Sequence, residues 1–416
     1  MTKKLLPIAI SICLVFQFLC LSLTAASPKT TYVDSAAAAN GDGTFDHPFR
    51  TINAGTAAAF AGDTVCVRAG TYPELVVFPH GGGSETQRIT LKAYAAEHVV
   101  VSNAGRCLDV AQPYITVENI RFDANWANTD AVKLRTAADY FTLRNCVVKN
   151  TRRDGIDMNS PQGVLIDSTA IHDCIWVENG TRNDAHGIVT SGVKDLTIRD
   201  CEIYYVSGDA VQLQYGGWNN VIIENCTLWN GPLPTARGGA PAGVTPGENA
   251  IDTKYHIEDG RGMLFVKNTT AYGWRSNYIT NAAAFNLKHN VEVILNGITT
   301  YDNDIAFRLR GPGSKGGAHV TLLNAVIYDS NIGVRYEDAI ENLLIYNSTW
   351  GDGINRQFQS AGGYGNGFQV KNCLFIDQKP TEASDSSNLA VNTSAFRNVA
   401  ANDYHQNSNS PSVDVV

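Results

Sequence analysis

The sequence predicts an all-β protein, a right-handed parallel β-helix of about ten or more coils with a short N-terminal capping helix. About ten segments alternate apolar and polar residues, reach an Asn, Asp or small residue, and then resume as a second short strand. They recur mostly every 20–40 residues, which is typical of a solenoid. The closely spaced Gly/Asn hairpin turns of a sandwich or barrel are absent. The segments begin at Tyr114, Tyr140, Gly163, Asp195, Asn220, Gly262, Asn290, His319, Asn342 and Gly367.

The first residues have the order of a secretory signal. Lys3 and Lys4 precede an apolar run at 5–23, and small residues follow at 24–26. Pro7 interrupts the run and no charged block follows it, which argues against a membrane anchor. We therefore predict a signal peptide at 1–26 and a secreted, extracellular protein.

The mature chain, 27–416, is predicted to be a single β-helix domain. Its entry, residues 32–74, resembles the start shared by many secreted β-helix proteins, and Thr51 can cap a short Ala-rich helix over the open first coil. From about residue 378 the chain is rich in Ser, Asn and Ala. We expect this polar tail to cover the other end.

The charge balance limits the partners. Residues 1–26 contain two lysines and no acid, so 30 basic and 40 acidic residues remain, a net charge of −10. Such a chain repels nucleic acid and anionic lipid on average. We therefore expect a monomer that binds no nucleic acid and, after signal removal, no membrane. An anionic ligand would need a local basic cluster.

Seven cysteines remain after signal removal, and an odd number excludes complete intramolecular pairing. Five of them follow Asn or Asp, at what we interpret as one position of the repeat. Side chains on stacked parallel strands have poor geometry for a disulfide bond, so we predict buried thiols. No Cys or His spacing typical of a structural zinc site occurs. The five are Cys146, Cys174, Cys201, Cys226 and Cys373.

A second column of strands carries the candidate site. In seven segments a small residue is followed by an apolar one, which must point inward, so its neighbours point outward onto one sheet face. The outward positions are, coil after coil, Asp157, Val189, Gln212, Asp252, Asn286, Arg308 and Arg335. Two residues further along they are Asn159, Ser191, Gln214, Lys254, Lys288, Arg310 and Glu337.

Acids in the early coils of this face give way to a basic patch in the later ones. Cations stacked on adjacent rungs of an acidic protein repel each other unless an anion is bound there, so we predict a binding face for an anionic ligand. A Gly/Pro-rich insertion between Asn230 and Gly247 can form one wall of the groove. The residues predicted to bind substrate are Asn286, Gln212, Gln214, Arg335, Arg237 and His186.

Secreted β-helices with such a face resemble polysaccharide lyases that cleave uronate polymers by β-elimination. The segment ENAID at 248–252, followed one coil later by FNLK at 285–288, resembles the family 9 pectate lyases. Their Asp-Asp-x-x-Asp motif binds calcium, and a Lys in a downstream Gly-Phe-Lys motif is the base. Here Glu248 and Asn249 replace two aspartates, and Asn286 stands in place of that lysine. Lys288, followed by Arg310 one coil later, resembles the Lys/Arg pair of the family 6 alginate and dermatan lyases.

The resemblance implies a set of roles. The proton α to a charged uronate carboxylate is very weakly acidic, so calcium or arginine must neutralise that carboxylate. We predict Lys288 as the base, since nearby cations favour an uncharged lysine, with Lys254 as the second choice. Arg310 and Arg308 are the predicted electrostatic partners. The predicted calcium ligands are Asp252, Glu248, Asp209 and Asp157, with Asp154 as an alternative to Asp157.

Several alternatives remain open from the sequence. The polymer is alginate or pectate, and Tyr215, Tyr255 or Tyr278 can protonate the leaving oxygen. Asp184-Ala-His-Gly is weakly similar to a motif of mannuronan C5-epimerases. The early acids would also serve a glycoside hydrolase, and the fold is equally compatible with a carbohydrate-binding protein without catalysis.

Overall fold

The computed structural model describes residues 27–39, 41–408 and 410; the predicted signal peptide at 1–26 lies outside them. The chain coils through three parallel sheets, visiting sheet 1, sheet 2 and sheet 3 in that order on each turn. This confirms the predicted right-handed parallel β-helix, with about twelve turns. No helix among these residues is long and apolar enough to cross a membrane.

The strand bounds show the regularity of the coil. Sheet 1 contains Thr30–Val33, Thr64–Val67, Ile89–Ala93, Ile115–Glu118, Thr142–Arg144, Leu165–Asp167, Lys194–Arg199, Asn219–Glu224, Gly262–Lys267, Val291–Asn296, His319–Leu323, Ile340–Tyr346 and Tyr364–Lys371. Sheet 2 contains Gly70–Tyr72, Val99–Ser102, Ile120–Ala127, Val147–Thr151, Ala170–Cys174, Glu202–Val206, Thr227–Trp229, Thr270–Tyr272, Thr299–Tyr301, Val326–Ile327, Thr349–Trp350, Leu374–Ile376 and Leu389–Val391. Sheet 3 contains Val76–Val77, Leu108–Val110, Val132–Leu134, Ile156–Asn159, Ile188–Ser191, Val211–Gln214, Asn249–Thr253, Ala283–Leu287, Asn303–Arg310, Ser330–Glu337 and Arg356–Ala361.

A few elements lie outside the three sheets. The α-helix Ile52–Ala58 is capped by the Thr51 hydroxyl, which accepts from the Ala54 N–H, as predicted. Two antiparallel hairpins are Trp176–Glu178 with Thr181–Asn183, and Phe396–Asn398 with Asp403–Gln406. Short 3₁₀ turns occur at Tyr94–Ala96, Ile257–Asp259, Gly313–Lys315, Thr381–Ala383, Thr393–Ala395 and Val399–Ala401.

Sheet 3 follows the predicted register. Each inward residue stacks on its equivalent in the next coil, and Phe285 lies 4.9 Å from Phe307, ring centroid to ring centroid. The outward residues therefore also stack, so that Asp252 pairs with Asn286 and Asn286 with Arg308. The inward residues, all buried, are Ile156, Ile188, Val211, Ile251, Phe285, Phe307 and Val334.

The seven cysteines that the structure describes are all free and buried, as predicted. The predicted alignment was wrong for Cys174, which pairs with Thr151 and Val206 at the end of sheet 2. Thr169 takes the position between Cys146 and Cys201 and receives the Cys146 N–H on its hydroxyl. The dipeptide Asp-Cys occurs at both Cys174 and Cys201, so it does not by itself predict where a cysteine lies in the coil.

Candidate functional site

A buried polar column runs along the edge where the chain enters sheet 3. The Asp154 carboxylate accepts the His186 backbone N–H at 2.9 Å, and His186 Nδ1 accepts the Asp209 backbone N–H at 2.8 Å. Asn249 Nδ2 donates to Asp209 Oδ1 at 2.7 Å. His186 is only 4% exposed, and its contact with substrate stays a prediction. His186 joins adjacent coils.

Two buried aspartates form the centre of the site. Gln212 Nε2 donates to Asp209 Oδ2 at 2.7 Å. Asn286 Nδ2 donates to Asp252 Oδ1 at 2.8 Å. Gln212 and Asn286 are each 2% exposed and hold the acids in place, and their contact with substrate stays a prediction.

Burial gives both carboxyl groups an unusual protonation behaviour. Loss of hydration, followed by the charge of Glu248, raises the pKa of Asp209 to about 7. Loss of hydration, followed by the charge of Asp209, raises the pKa of Asp252 to about 7. Both acids therefore titrate near neutral pH, where a catalytic proton carrier is useful.

Two lysines lie against Asp252. Lys288 Nζ is 2.8 Å from Asp252 Oδ1, and Lys254 Nζ is 3.7 Å from Asp252 Oδ2. The Lys288 side chain is 15% exposed and the Lys254 side chain 28%. Both ammonium groups therefore meet a buried carboxylate and remain accessible from the groove.

The arginine part of the basic patch is partly paired with acids of the protein. Glu337 Oε1 lies 2.9 Å from Arg308 Nε and 2.6 Å from Arg335 Nε, and Glu337 Oε2 lies 3.2 Å from Arg310 Nε. Asp338 adds a second contact to Arg310 at 3.2 Å. Glu337 and Asp338 together carry two negative charges against the three positive charges of the arginines, so the expectation of an external anion stays a prediction. Glu337, on the face where they lie, is shared by all three arginines.

The predicted calcium ligands do not come together. Asp157 lies in a cluster with Asp130 and Asp154, whose carboxylate oxygens are within 4.8 Å of one another. Three rungs separate Asp157 from Asp252 in the sheet register, a distance of about 14 Å at the usual strand spacing. Glu248 is held by Arg182, 3.1 Å away. The four predicted ligands therefore cannot share one ion.

Calcium does not fit the arrangement around Asp209 and Asp252. Calcium requires six to eight oxygen ligands. Here Asp209 Oδ1, Asp209 Oδ2 and Asp252 Oδ1 each accept an N–H group from an amide side chain. Lys288 and Lys254 already supply positive charge to Asp252. Calcium binding stays a prediction, and no catalytic step is derived from it.

Arg237, another predicted substrate contact, binds to residues of sheet 2. Arg237 Nη1 lies 2.7 Å from Asp173 Oδ1, and its guanidinium lies 5.3 Å from the centre of the Tyr205 ring. Both partners belong to sheet 2, so Arg237 does not reach the sheet 3 face. The insertion that carries it packs on the hairpin at the corner of sheets 2 and 3, where Val177 N–H donates to Gly238 O. The predicted contacts that remain partly exposed are Gln214, Arg237 and Arg335.

Sequence reasoning missed a cavity at the exit of sheet 3. A cavity of about 250 Å³ is lined by Lys288, His289, Arg310, Asp338 and the loop at 311–316. The Lys-containing, Gly-rich sequence GPGSKGG after Arg310 was a usable signal for this loop. His289 has φ +65°, and strand alternation does not anticipate such a turn.

Of the three candidate proton donors, Tyr215 borders this region. Lys315 Nζ donates to the Tyr215 hydroxyl at 3.1 Å, and the Tyr215 ring stacks on His289 with centroids 5.8 Å apart. Tyr255 is buried in the core. Tyr278 packs against a small apolar cluster that includes Val177 and Leu233. Since a lysine ammonium only donates, the phenolic hydrogen of Tyr215 stays available for a ligand.

The three-sheet coil and its polar sheet 3 face define a right-handed parallel β-helix protein. The chain belongs to the family described as Pel9A-like, right handed beta helix region, whose sequence model matches residues 31–318. A curated relative, the Uncharacterized protein YwoF of Bacillus subtilis (strain 168), is 38% identical over 71 residues. That match spans 17% of this chain and only 15% of the relative.

Solved structures share the fold at low identity. A rhamnogalacturonan lyase has a TM-score of 0.52 and 14% identity, covering 88% of this chain and 90% of its own. A mannuronic acid specific family 6 lyase from human gut microbiota has a TM-score of 0.50 and 14% identity, covering 84% and 80%. The Dettilon tailspike protein has a TM-score of 0.50 and 13% identity, covering 78% and 67%. These likenesses show the fold, which lyases and a tailspike have in common.

Proposed function

We propose that the protein is a secreted polysaccharide lyase that cleaves an anionic uronate polymer, alginate or pectate, by β-elimination. One observation carries the proposal: Lys254, Lys288, Arg310 and Lys315 converge on one rim of sheet 3, beside two acids that titrate near neutral pH. The membership of the Pel9A-like family and the lyases among its structural neighbours support it. The overall acidity of the chain makes this local basic rim the surface that suits a polyanion.

Elimination needs a base, a neutraliser and an acid. The bond between C5 and its hydrogen breaks, the proton goes to the base, and the electron pair forms the C4–C5 double bond. The C4–O bond breaks, and the departing oxygen takes a proton from an acid. Positive charge at the uronate carboxylate stabilises the anion that develops at C5. We assign that charge to Arg310 and Lys254, and the proton to Tyr215.

Lys288 is the proposed base, and it lies against Asp252. The two groups are 2.8 Å apart, and the pKa of Asp252 is about 7. Lys288 must be an uncharged amine when it accepts the C5 proton.

Matched lysine variants test the proposal on the uronate polymer that the wild type degrades fastest. Lys288→Ala removes the base, so we expect turnover to fall on the order of 10²–10⁴-fold. Lys254→Ala should lose about tenfold, since it removes one charge from the rim. Lys267 is an exposed lysine on sheet 1. Lys267→Ala controls for the change in overall charge, and its turnover should match that of the wild type.

The outcomes separate the possible roles. Full turnover of Lys288→Ala together with loss of activity in Lys254→Ala would make Lys254 the base. Full activity of both variants would reduce the rim to a binding surface and contradict the proposed mechanism. Far-ultraviolet circular dichroism of each variant controls for folding.

A further inference from the structure

The cavity at the exit of sheet 3 carries surplus positive charge. Arg310 lies against Glu337 and Asp338, and Lys288 lies against Asp252. Lys315 has no carboxylate partner among the residues that the structure describes. Its contact is the neutral Tyr215 hydroxyl, which uses one of its three N–H groups. The ammonium therefore keeps donors for a ligand.

The histidine in the cavity reports the same positive potential. Burial, followed by the charges of Lys288, Lys315, Arg310 and Lys254, lowers the pKa of His289 to about 4. Its Nδ1 atom is buried and has no hydrogen-bond partner. Unpartnered buried nitrogens are rare in folded proteins. A ligand that enters the cavity would therefore meet several hydrogen-bond donors and an excess of positive charge.

The loop is built to hold Lys315 over the cavity. Gly313 and Gly316 have φ of +36° and +72°, so the turn uses a conformation that glycine adopts without strain. The Lys315–Tyr215 contact joins residues 100 positions apart and draws the loop back along the rim, over His289. This contact holds the Lys315 ammonium in one orientation, while Lys315 remains exposed.

We infer that this cavity is a carboxylate-binding subsite for the uronate unit next to the one that is cleaved. The inference rests on the proposed function for its placement, because Lys288 and Arg310 line both the cavity and the groove face. At about 250 Å³ the cavity is smaller than the sites that enclose drug-sized ligands. It therefore suits one charged sugar unit, while the rest of the polymer lies along sheet 3.

The test measures binding as well as turnover. Affinity electrophoresis of the full chain in gels containing polyuronate gives a dissociation constant for wild type, Lys315→Ala, Lys315→Arg and the control Lys267→Ala. We expect Lys315→Ala to bind about tenfold more weakly, because one charge-assisted hydrogen bond is lost at a partly exposed site. Lys315→Arg should stay within about threefold of the wild type, since it keeps the charge. Kinetically, KM for polyuronate should rise in Lys315→Ala and return to within about threefold of the wild type in Lys315→Arg.

Two further polymers identify the anion. Methyl-esterified polyuronate lacks the carboxylate charge, so Lys315→Ala and wild type should bind it equally. Chondroitin sulfate supplies sulfate esters, and a larger loss on it than on polyuronate would overturn the carboxylate assignment. Equal binding of polyuronate by Lys315→Ala and wild type would overturn the subsite itself. A protein that makes no elimination product yet loses binding in Lys315→Ala would refute the lyase and retain the subsite.

Discussion

Replacing Asp209 by Asn should stabilise the protein at alkaline pH and leave it unchanged at acidic pH. Asp209 is 1% exposed, and its carboxylate hydrogen-bonds to the uncharged amides of Asn249 and Gln212. Its pKa is about 7 in the fold against an ordinary value of 3.8. The folded state therefore holds a proton that the unfolded chain has released, so stability falls as pH rises from about 4 to about 7 and is constant above.

The size of the effect follows from that shift. Three pKa units correspond to at most about 4 kcal/mol of lost stability at pH 8. The amide of Asp209→Asn avoids this cost but fits the two donors less well, so we expect a net gain of about 1–3 kcal/mol at pH 8 and almost none at pH 4. Denaturant midpoints of wild type and variant at both pH values measure the difference. A variant no more stable than the wild type at pH 8 would refute the reasoning.

The remaining predictions use the same preparations. Adding calcium at pH 8 should not raise the stability of the wild type more than that of Asp209→Asn. A gain in stability restricted to the wild type would place the ion at Asp209. An equal gain in both proteins would favour the Asp130–Asp154–Asp157 cluster. Phe307→Ala, in the fully buried stacked pair, should lower the unfolding free energy by about 3–5 kcal/mol, while Ile257→Ala, 58% exposed, should change it little. A thiol reagent should leave all seven buried cysteines unmodified in the native protein and label them after denaturation, since burial raises the pKa of Cys107, Cys146 and Cys373 to about 12.

The fold was predictable because its pattern is local and repeated. The inward residue of each segment, such as Ile251 or Phe285, fixes which neighbours face outward. Stacking of identical coils then fixes which outward residues meet. Asp252, Asn286 and Arg308 accordingly pair in the predicted order. A period-two pattern is enough for these contacts.

The electrostatics of the site were not predictable in the same way. Glu337 appeared in the sequence as one outward residue among cations, yet it accepts three arginines from two coils, a result that depends on side-chain rotamers. Asp157 and Asp252 share a column, but the intervening rungs separate them. Lys315 reaches Tyr215 only because a glycine-rich loop turns back. The alternating pattern predicts the face to which a side chain points, whereas these contacts depend on how far apart the residues lie along the solenoid.

The chemistry of the products tests the lyase proposal most directly. Purified wild-type protein is incubated with alginate, pectate and a glycosaminoglycan, and the released oligosaccharides are examined by ultraviolet absorbance and mass spectrometry. Elimination places a double bond in each new non-reducing end and yields products lighter by one water than those of hydrolysis. We predict absorbing, unsaturated oligosaccharides from alginate or pectate, and none when Lys288→Ala replaces the wild type. Saturated products, epimerised polymer or unchanged polymer on every substrate would contradict the proposed elimination.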